Sequence, residues 1–214
     1  MNTTNHQAIL LIGPTGSGKT PFGDFMTRYR LNGKTCFHFD FGASLRKAAA
    51  REKFHDLLSQ NDILFLEKVL QEGALLEKET FYIAENILDA FITGHQMTEA
   101  DILVLNGLPR HIDQARDVEK TIAIRMMIQL KCEPEVVYER ILKNTGLDRK
   151  DRNDDSLKEI RKKLAIFNAR TLPLIDYFRD KNAKVVSVDV DVNTTPEMIA
   201  RQIQSDGVFF ESPI

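Results

Sequence analysis

The sequence predicts an α/β fold organised around a parallel sheet, and three observations carry that prediction. The apolar run Ala8-Ile9-Leu10-Leu11-Ile12 is followed at once by Gly13-Pro14-Thr15-Gly16-Ser17-Gly18-Lys19-Thr20 and then by a helical pattern, the order strand, loop, helix. Further short apolar runs recur at 34–39, 101–105, 122–130 and 184–190, each with the content of a strand buried on both faces. Segments of helical period lie between them, the alternation that builds parallel sheets.

Taken in order, Phe22, Phe25, Met26 and Tyr29 recur at i, i+3, i+4 and i+7 and place one apolar stripe on a helix after the glycine loop. Pro21 falls in its first turn, where a missing N–H costs little. Residues 42–95 are helical in pattern, with Leu64, Phe65 and Val69 on one segment and Ile83, Ile87, Leu88 and Phe91 on another. That is more chain than a crossover helix needs, and it reads as a small helical insertion. Residues 144–153 are short, polar and charged, the composition of a surface loop. After it, Ser156-Leu157-Lys158-Glu159 fits a capping box, and Leu157, Ile160, Leu164, Phe167, Leu174 and Phe178 sustain the helical period, with Pro173 placed to kink or break it. No element is predicted for 205–214, and no internal repeat or low-complexity tract is present.

The chain has 214 residues and 43 % hydrophobic content, enough for one large domain with inserted parts. Lys plus Arg total 29 against 31 for Asp plus Glu, so no bulk positive field marks nucleic acid as a partner. Cys36 and Cys132 stand alone and argue against a disulfide framework or a structural zinc site; both read as reduced thiols. The polar amino terminus and the lack of a bilayer-length apolar run lead to the expectation of a soluble, cytoplasmic protein with no membrane partner.

The chemistry lies first in Gly13 to Thr20, which fits the phosphate-loop pattern of Gly, four residues, Gly-Lys-Ser/Thr. A glycine-rich turn lets successive backbone N–H groups point into one concavity, and the following helix offers its unsatisfied donors to the same anion. Lys19 is placed to bind the outer phosphates, and the Thr20 hydroxyl to ligate Mg²⁺. Arg110 follows Pro109 at the end of an expected strand, where open α/β sheets bind ligands. Read from the residues alone, Arg152 beside Asp154 and Asp155 is a solvated charge run, Lys163 fits a basic helix face as well as a functional position, and an exposed helical residue is an open alternative for Gln114. His38 and His111 read as packed or hydrogen-bonded side chains.

Taken together, Gly13 to Thr20, His38-Phe39-Asp40-Phe41-Gly42-Ala43-Ser44-Leu45-Arg46, Asn106-Gly107-Leu108-Pro109-Arg110 with Gln114, and Arg152-Asn153-Asp154-Asp155 resemble the adenylate kinase family of nucleoside monophosphate kinases. Each motif alone is weak; four in order along most of the chain are specific. The resemblance implies a P-loop NTPase fold with a five-stranded parallel sheet, a core formed by 1–41, 96–143 and 154–214, an inserted helical subdomain for the acceptor nucleotide at 42–95, and a short lid at 144–153. It further implies ATP and Mg²⁺ as cofactors, an acceptor monophosphate with AMP favoured, and a monomer. Carried over by residue, the loop from Gly13 to Thr20 and Arg140 would hold the donor nucleotide, and Thr20 and Asn106 would serve the metal. Phe41, Arg46, Leu76, Gly107, Arg110 and Gln114 would line the acceptor site, with Gln114 on an adenine edge. Lys19, Arg110, Arg152 and Lys163 would act on the transferring phosphoryl group.

Four departures fall where function is decided. Asn106 stands where the family has the aspartate of Asp-Gly-x-Pro-Arg, and an amide carries no charge to offset Mg²⁺. Asp40-Phe41 replaces Ser-Thr beside the acceptor base, and Asn144 and Lys163 replace arginines. Three readings are therefore open: an AMP kinase, a kinase of the same class with a non-adenine acceptor, and a catalytically weak nucleotide-binding sensor or scaffold.

Overall fold

The computed structural model describes residues 6–148 and 156–213. Parallel strands β1 (His6–Ile12), β3 (Lys34–Asp40), β4 (Ile102–Asn106), β5 (Ile122–Lys131) and β6 (Lys184–Asp189) are the five expected from the apolar runs. Among the described residues the sheet nevertheless has seven strands, in the order β6-β5-β1-β4-β3-β2-β7, and the expectation of a five-stranded parallel sheet is corrected to a mixed one. Both additions lie beyond β3 and run antiparallel: β2 (Tyr29–Leu31) pairs with β3, and β7 (Phe210–Pro213) pairs with β2. Asn32-Gly33, both at positive φ, joins β2 to β3 as a two-residue hairpin turn of the kind that matches strand twist. Tyr29 is thus a strand residue, not the end of the preceding helix; its ring still packs 4.6 Å from that of Phe25.

Helices cover both faces because alternate strand residues point to opposite sides. Ala8, Leu10, Ile12, Leu103 and Leu105 pack on one side with α2 (Phe41–Ala49), α3 (Gln60–Glu72), α4 (Phe81–Gly94), α5 (Ile112–Val118) and α8 (Leu174–Asp180). Ile9, Leu11, Ile102 and Val104 pack on the other with α1 (Lys19–Met26) and α9 (Pro196–Gln204). The remaining helices, α6 (Pro134–Lys143) and α7 (Leu157–Ile166), meet in a smaller cluster of Val137, Ile141 and Ile160.

The 42–95 stretch is helical as expected, and Ile83, Ile87, Leu88 and Phe91 are all buried in α4. In α3 the phase differs: Ile63, Leu66 and Val69 face inward, while Leu64 is 53 % exposed. The run Ile63-Leu64-Phe65-Leu66 is apolar all round, so period alone does not choose its inward edge. Ser156 caps α7 with the reciprocal Glu159 bond, as its capping box requires, but Leu157 in its first turn is exposed. The break at Pro173 is resolved by a π turn over Phe167–Thr171 followed by α8. Half of the expected lid, residues 149–153 with Arg152, lies outside the described residues, as do Asp154 and Asp155.

The edge strands depend on one aromatic cluster, in which the Phe210 ring lies 5.5 Å from Phe25, 6.3 Å from Phe22 and 6.3 Å from Tyr29. Phe210→Ala is expected to lower stability by about 2 kcal/mol, less than a fully buried phenylalanine because the ring is partly exposed. A urea midpoint measured by circular dichroism checks it, with nucleotide binding unchanged.

Candidate active site

The glycine loop connects β1 to α1 and is closely enclosed. A Cβ at Gly13 would stand 2.7 Å from the Leu130 carbonyl oxygen and 2.7 Å from Ser17 Oγ, so only glycine fits there. Gly18, at φ 98°, occupies the N-cap of α1, and no side chain caps that helix and no acid stands in its first turn. The first-turn donors are therefore left to an anion, which the helix dipole favours by roughly 0.3–2 kcal/mol. Inside the loop the Ser17 hydroxyl is fully buried without a hydrogen-bond partner. Lys19 Nζ donates to the Gly13 and Pro14 carbonyl oxygens, 2.7 Å each, so its ammonium is held at the mouth of the loop. An uncapped helix end, a glycine cradle and a positioned lysine fit a polyphosphate.

Beside the loop, the carboxyl ends of β3 and β4 bring Asp40 and Asn106 into register as paired residues. Asp40 Oδ2 accepts hydrogen bonds from Thr20 Oγ1 at 2.5 Å and Asn106 Nδ2 at 3.0 Å, while Oδ1 accepts from Ala43 N at 2.8 Å and caps α2. Burial alone would raise the Asp40 pKa; the Thr20 and Ala43 hydrogen bonds, with the nearby His38 and Arg46, outweigh it and hold the carboxyl below its ordinary value. Thr20, Asn106 and this carboxylate form a set of oxygen and amide groups that fits a hydrated Mg²⁺ next to the phosphate cradle.

These groups open into a cleft of about 210 Å³. Of the residues singled out in the sequence, Gly13, Thr15, Gly16, Gly18, Lys19, Thr20, Phe41, Arg46, Leu76, Asn106, Gly107, Arg110, Gln114 and Lys163 all line it. Pro14 and Ser17 belong to the loop behind that surface, and Arg152 lies outside the described residues. Arg140 is set apart. It is 4 % exposed, and its guanidinium donates to the Gly16, Asp191, Val192 and Thr194 carbonyl oxygens at 2.7–3.2 Å, tying the glycine loop to the turn before α9.

The far wall comes from the helical insertion, where Val69, Leu70 and the turn Gly73-Ala74-Leu75-Leu76 face the cleft. Gly73, at φ 62°, ends α3 and redirects the chain so that the Leu76 carbonyl points inward. That carbonyl accepts from Gln114 Nε2 at 2.9 Å and lies 3.1 Å from His111 Nε2, while Gln114 Oε1 accepts from Arg110 N at 2.8 Å. Gln114 is therefore not an exposed helical residue; it is 2 % exposed. Phe41 is also buried, 6.0 Å from the Phe39 ring, and lines the cleft. His38 and His111 are hydrogen-bonded side chains, as read from the sequence. Asp40 is the site group that sequence reading underrated. Its signal was the coincidence of a new acid at one strand end with a lost acid at the next.

Arg110 carries the strongest electrostatic mark. Its guanidinium is enclosed, and desolvation brings its pKa down to about 10. It remains charged at neutral pH, so its burial is a standing cost to the folded state. The folded pKa is below the unfolded one, so that cost is complete below pH 10 and is relieved as the pH rises through the folded value.

A glycine cradle with its lysine, facing a wall that carries Arg46 and Arg110, is the arrangement of a phosphate-loop kinase. A protein-family model described as an AAA domain, AAA_17, matches residues 12–161. The chain is 29 % identical over 185 residues to adenylate kinase isoenzyme 5 of Mus musculus, a match covering 86 % of this chain and 30 % of that longer protein. It is 27 % identical over 177 residues to the adenylate kinase of Helicobacter pylori strain G27, covering 82 % of this chain and 85 % of that one. Among solved structures, a sugar kinase from Janibacter sp. HTCC2649 superposes with a TM-score of 0.51 at 15 % identity over 95 % of each chain. A gluconokinase from Sinorhizobium meliloti 1021 gives 0.51 at 14 % identity over 94 % of this chain and 91 % of that one. Both show a shared fold. The chain belongs to the AAA_17 family, as an adenylate kinase-like member.

Two outcomes test this geometry. Arg140→Met, which keeps much of the apolar stem and removes the donors, should cost about 3 kcal/mol in urea unfolding by leaving buried carbonyls unpaired. Arg110→Met should leave the melting temperature in phosphate-free buffer unchanged or higher, and should abolish the rise that inorganic phosphate causes in the parent protein. A lower melting temperature without phosphate would show that the charge is structural.

Proposed function

We propose that the protein transfers the γ-phosphoryl group of ATP to a nucleoside monophosphate, with AMP the favoured acceptor and Mg²⁺ required. The observation that carries this reading is the single cleft shared by a donor loop, Gly13 to Thr20, and an acceptor wall containing Arg46, Arg110, Leu76 and Gln114. On this reading 42–95 is the acceptor subdomain and 144–153 the lid, with Arg152 arriving on closure.

The loop N–H groups and Lys19 bind the β- and γ-phosphates of the donor, and Thr20 with its neighbours Asn106 and Asp40 would hold Mg²⁺, which would offset the phosphate charge. Arg46 and Arg110 hold the acceptor phosphate in line with the donor, and Lys163 stands on the cleft wall as a further positive charge. The transferring group spreads negative charge over its equatorial oxygens, so fixed cations in a water-poor cleft stabilise the transition state more than the ground state. No protein base is required, because the acceptor phosphate, with a second pKa near 6, presents an ionised oxygen at neutral pH. The oxygen attacks the γ-phosphorus, the β–γ bridging bond breaks, and two diphosphates leave.

One observation favours a second acceptor class. The bulky Phe41 lines the acceptor wall, and Gln114, bonded to the Leu76 carbonyl and to Arg110 N, keeps one N–H and one oxygen lone pair for a base edge. A panel of MgATP with each common monophosphate, resolved by ion-exchange chromatography, decides between the classes. AMP conversion is the expected result. Conversion of another monophosphate alone reassigns the base, and binding of both nucleotides without any conversion leaves a sensor. Lys19→Ala should abolish transfer, by at least about a thousandfold, with an unchanged circular dichroism spectrum.

A further inference from the structure

We propose that Asp40, at the end of β3, supplies the carboxylate that organises Mg²⁺ at the Thr20 hydroxyl, in place of the acid missing at Asn106. The inference rests on the nucleotide-binding reading above and concerns which residue gives the metal its charge.

In phosphate-loop proteins the loop Ser/Thr hydroxyl and an aspartate at a strand end act together on the metal. Here β4 ends in Asn106, which sits in the corresponding place relative to β1, paired with Leu11. An amide there leaves the divalent ion without an adjacent negative charge. The strand on the other side of β4 makes up the loss: β3 pairs in register, Asp40 against Asn106, and both side chains converge on Thr20. Asn106 Nδ2 lies 3.1 Å from Thr20 Oγ1 and 3.0 Å from Asp40 Oδ2, and Thr20 Oγ1 lies 2.5 Å from that same oxygen.

The orientation of each group is determined by its neighbours. His38 Nδ1 bonds Asp24 Oδ1 at 2.8 Å, and its Nε2 lies 3.4 Å from Asn106 Nδ2. With the proton on Nδ1, Nε2 accepts, so Asn106 turns its amino group towards His38, Thr20 and Asp40. Thr20 then donates its hydrogen bond to Asp40 and keeps an oxygen lone pair for a cation. A carboxylate that holds the hydroxyl in this state, and lies within hydrogen-bond reach of it, is placed to accept from the water shell of the same ion.

Helix capping does not account for the acid. The cap of α2 uses Oδ1, through Ala43 N, whereas the metal-facing oxygen is Oδ2. Asparagine and serine cap helices as well as aspartate does, so capping does not call for a charge. Arg46 and His38 both act on Asp40 electrostatically, and the side-chain hydrogen bonds of Asp40 go to Thr20, Ala43 and Asn106.

The test is the affinity for a fluorescent ATP analogue with Mg²⁺ and with EDTA, measured on the full chain and on Asp40→Asn, Asp40→Ser and the exchanged pair Asp40→Asn/Asn106→Asp. The two single variants keep a capping side chain, and their melting curves report whether the fold is retained. Mg²⁺ should tighten binding in the parent protein. In both single variants that advantage should fall about tenfold while metal-free affinity is kept, and the exchanged pair should recover it by returning a carboxylate to the same triangle. A full Mg²⁺ advantage in Asp40→Asn or Asp40→Ser overturns the proposal, as does a parent protein that binds the analogue equally well in EDTA. A parent protein that binds no analogue under either condition overturns the nucleotide reading itself, and the proposal with it.

Discussion

Parallel pairing of β1, β4 and β3 brings Leu11, Asn106 and Asp40 to one level at the carboxyl edge of the sheet. Everything chemical in the molecule is arranged along that edge. The glycine loop leaves β1 there, α2 starts there with Asp40 as its cap, and Gly107 to Arg110 leave β4 there. A one-residue slip of any strand would turn its side chains to the opposite face and separate Thr20, Asp40 and Asn106. The apolar alternation on both faces of the sheet is thus also what holds the polar groups in register.

The second demand is to keep a polar loop buried without losing its hydrogen bonds. Arg140 meets much of it, since one guanidinium joins the Gly16 carbonyl to three carbonyls of the turn before α9. The fork of donors suits four acceptors at different angles, a task that the single ammonium of a lysine does less well. Its charge also lies behind the loop, where it adds to the positive field without occupying the cleft. By contrast, Arg110 lines the cleft, and desolvation lowers its pKa.

Much of this was legible in the chain. The five parallel strands, the loop, the capping box at Ser156 and the helical insertion were all marked by local patterns with a direct physical cause. The two added strands were not, because β2 has only three residues and β7 follows a tail with little apolar period. The Asn32-Gly33 turn was the signal for β2, and it was available. The inward phase of α3 was illegible for another reason: four successive apolar residues give no preferred face, and only the neighbours choose Ile63 and Leu66 over Leu64. Among the site residues, the motif positions of the loop, of Arg46 and of Arg110 to Gln114 fall on one cleft, whereas the placement of Arg140 away from it had no local sign.

The sequence by itself determined the class of element at most positions and the identity of the phosphate loop, because strand burial, helix capping and glycine conformational freedom act over a few residues. Only the tertiary structure decided which groups act together. Asp40 and Asn106 are 66 residues apart and read separately as a gain and a loss; strand register makes them neighbours at 3.0 Å. Gln114 and Leu76 are likewise joined by a bond across 38 residues that no local pattern encodes. Long-range pairing of this kind follows from how the whole sheet buries its two faces, and that is a property of all the strands together rather than of any segment.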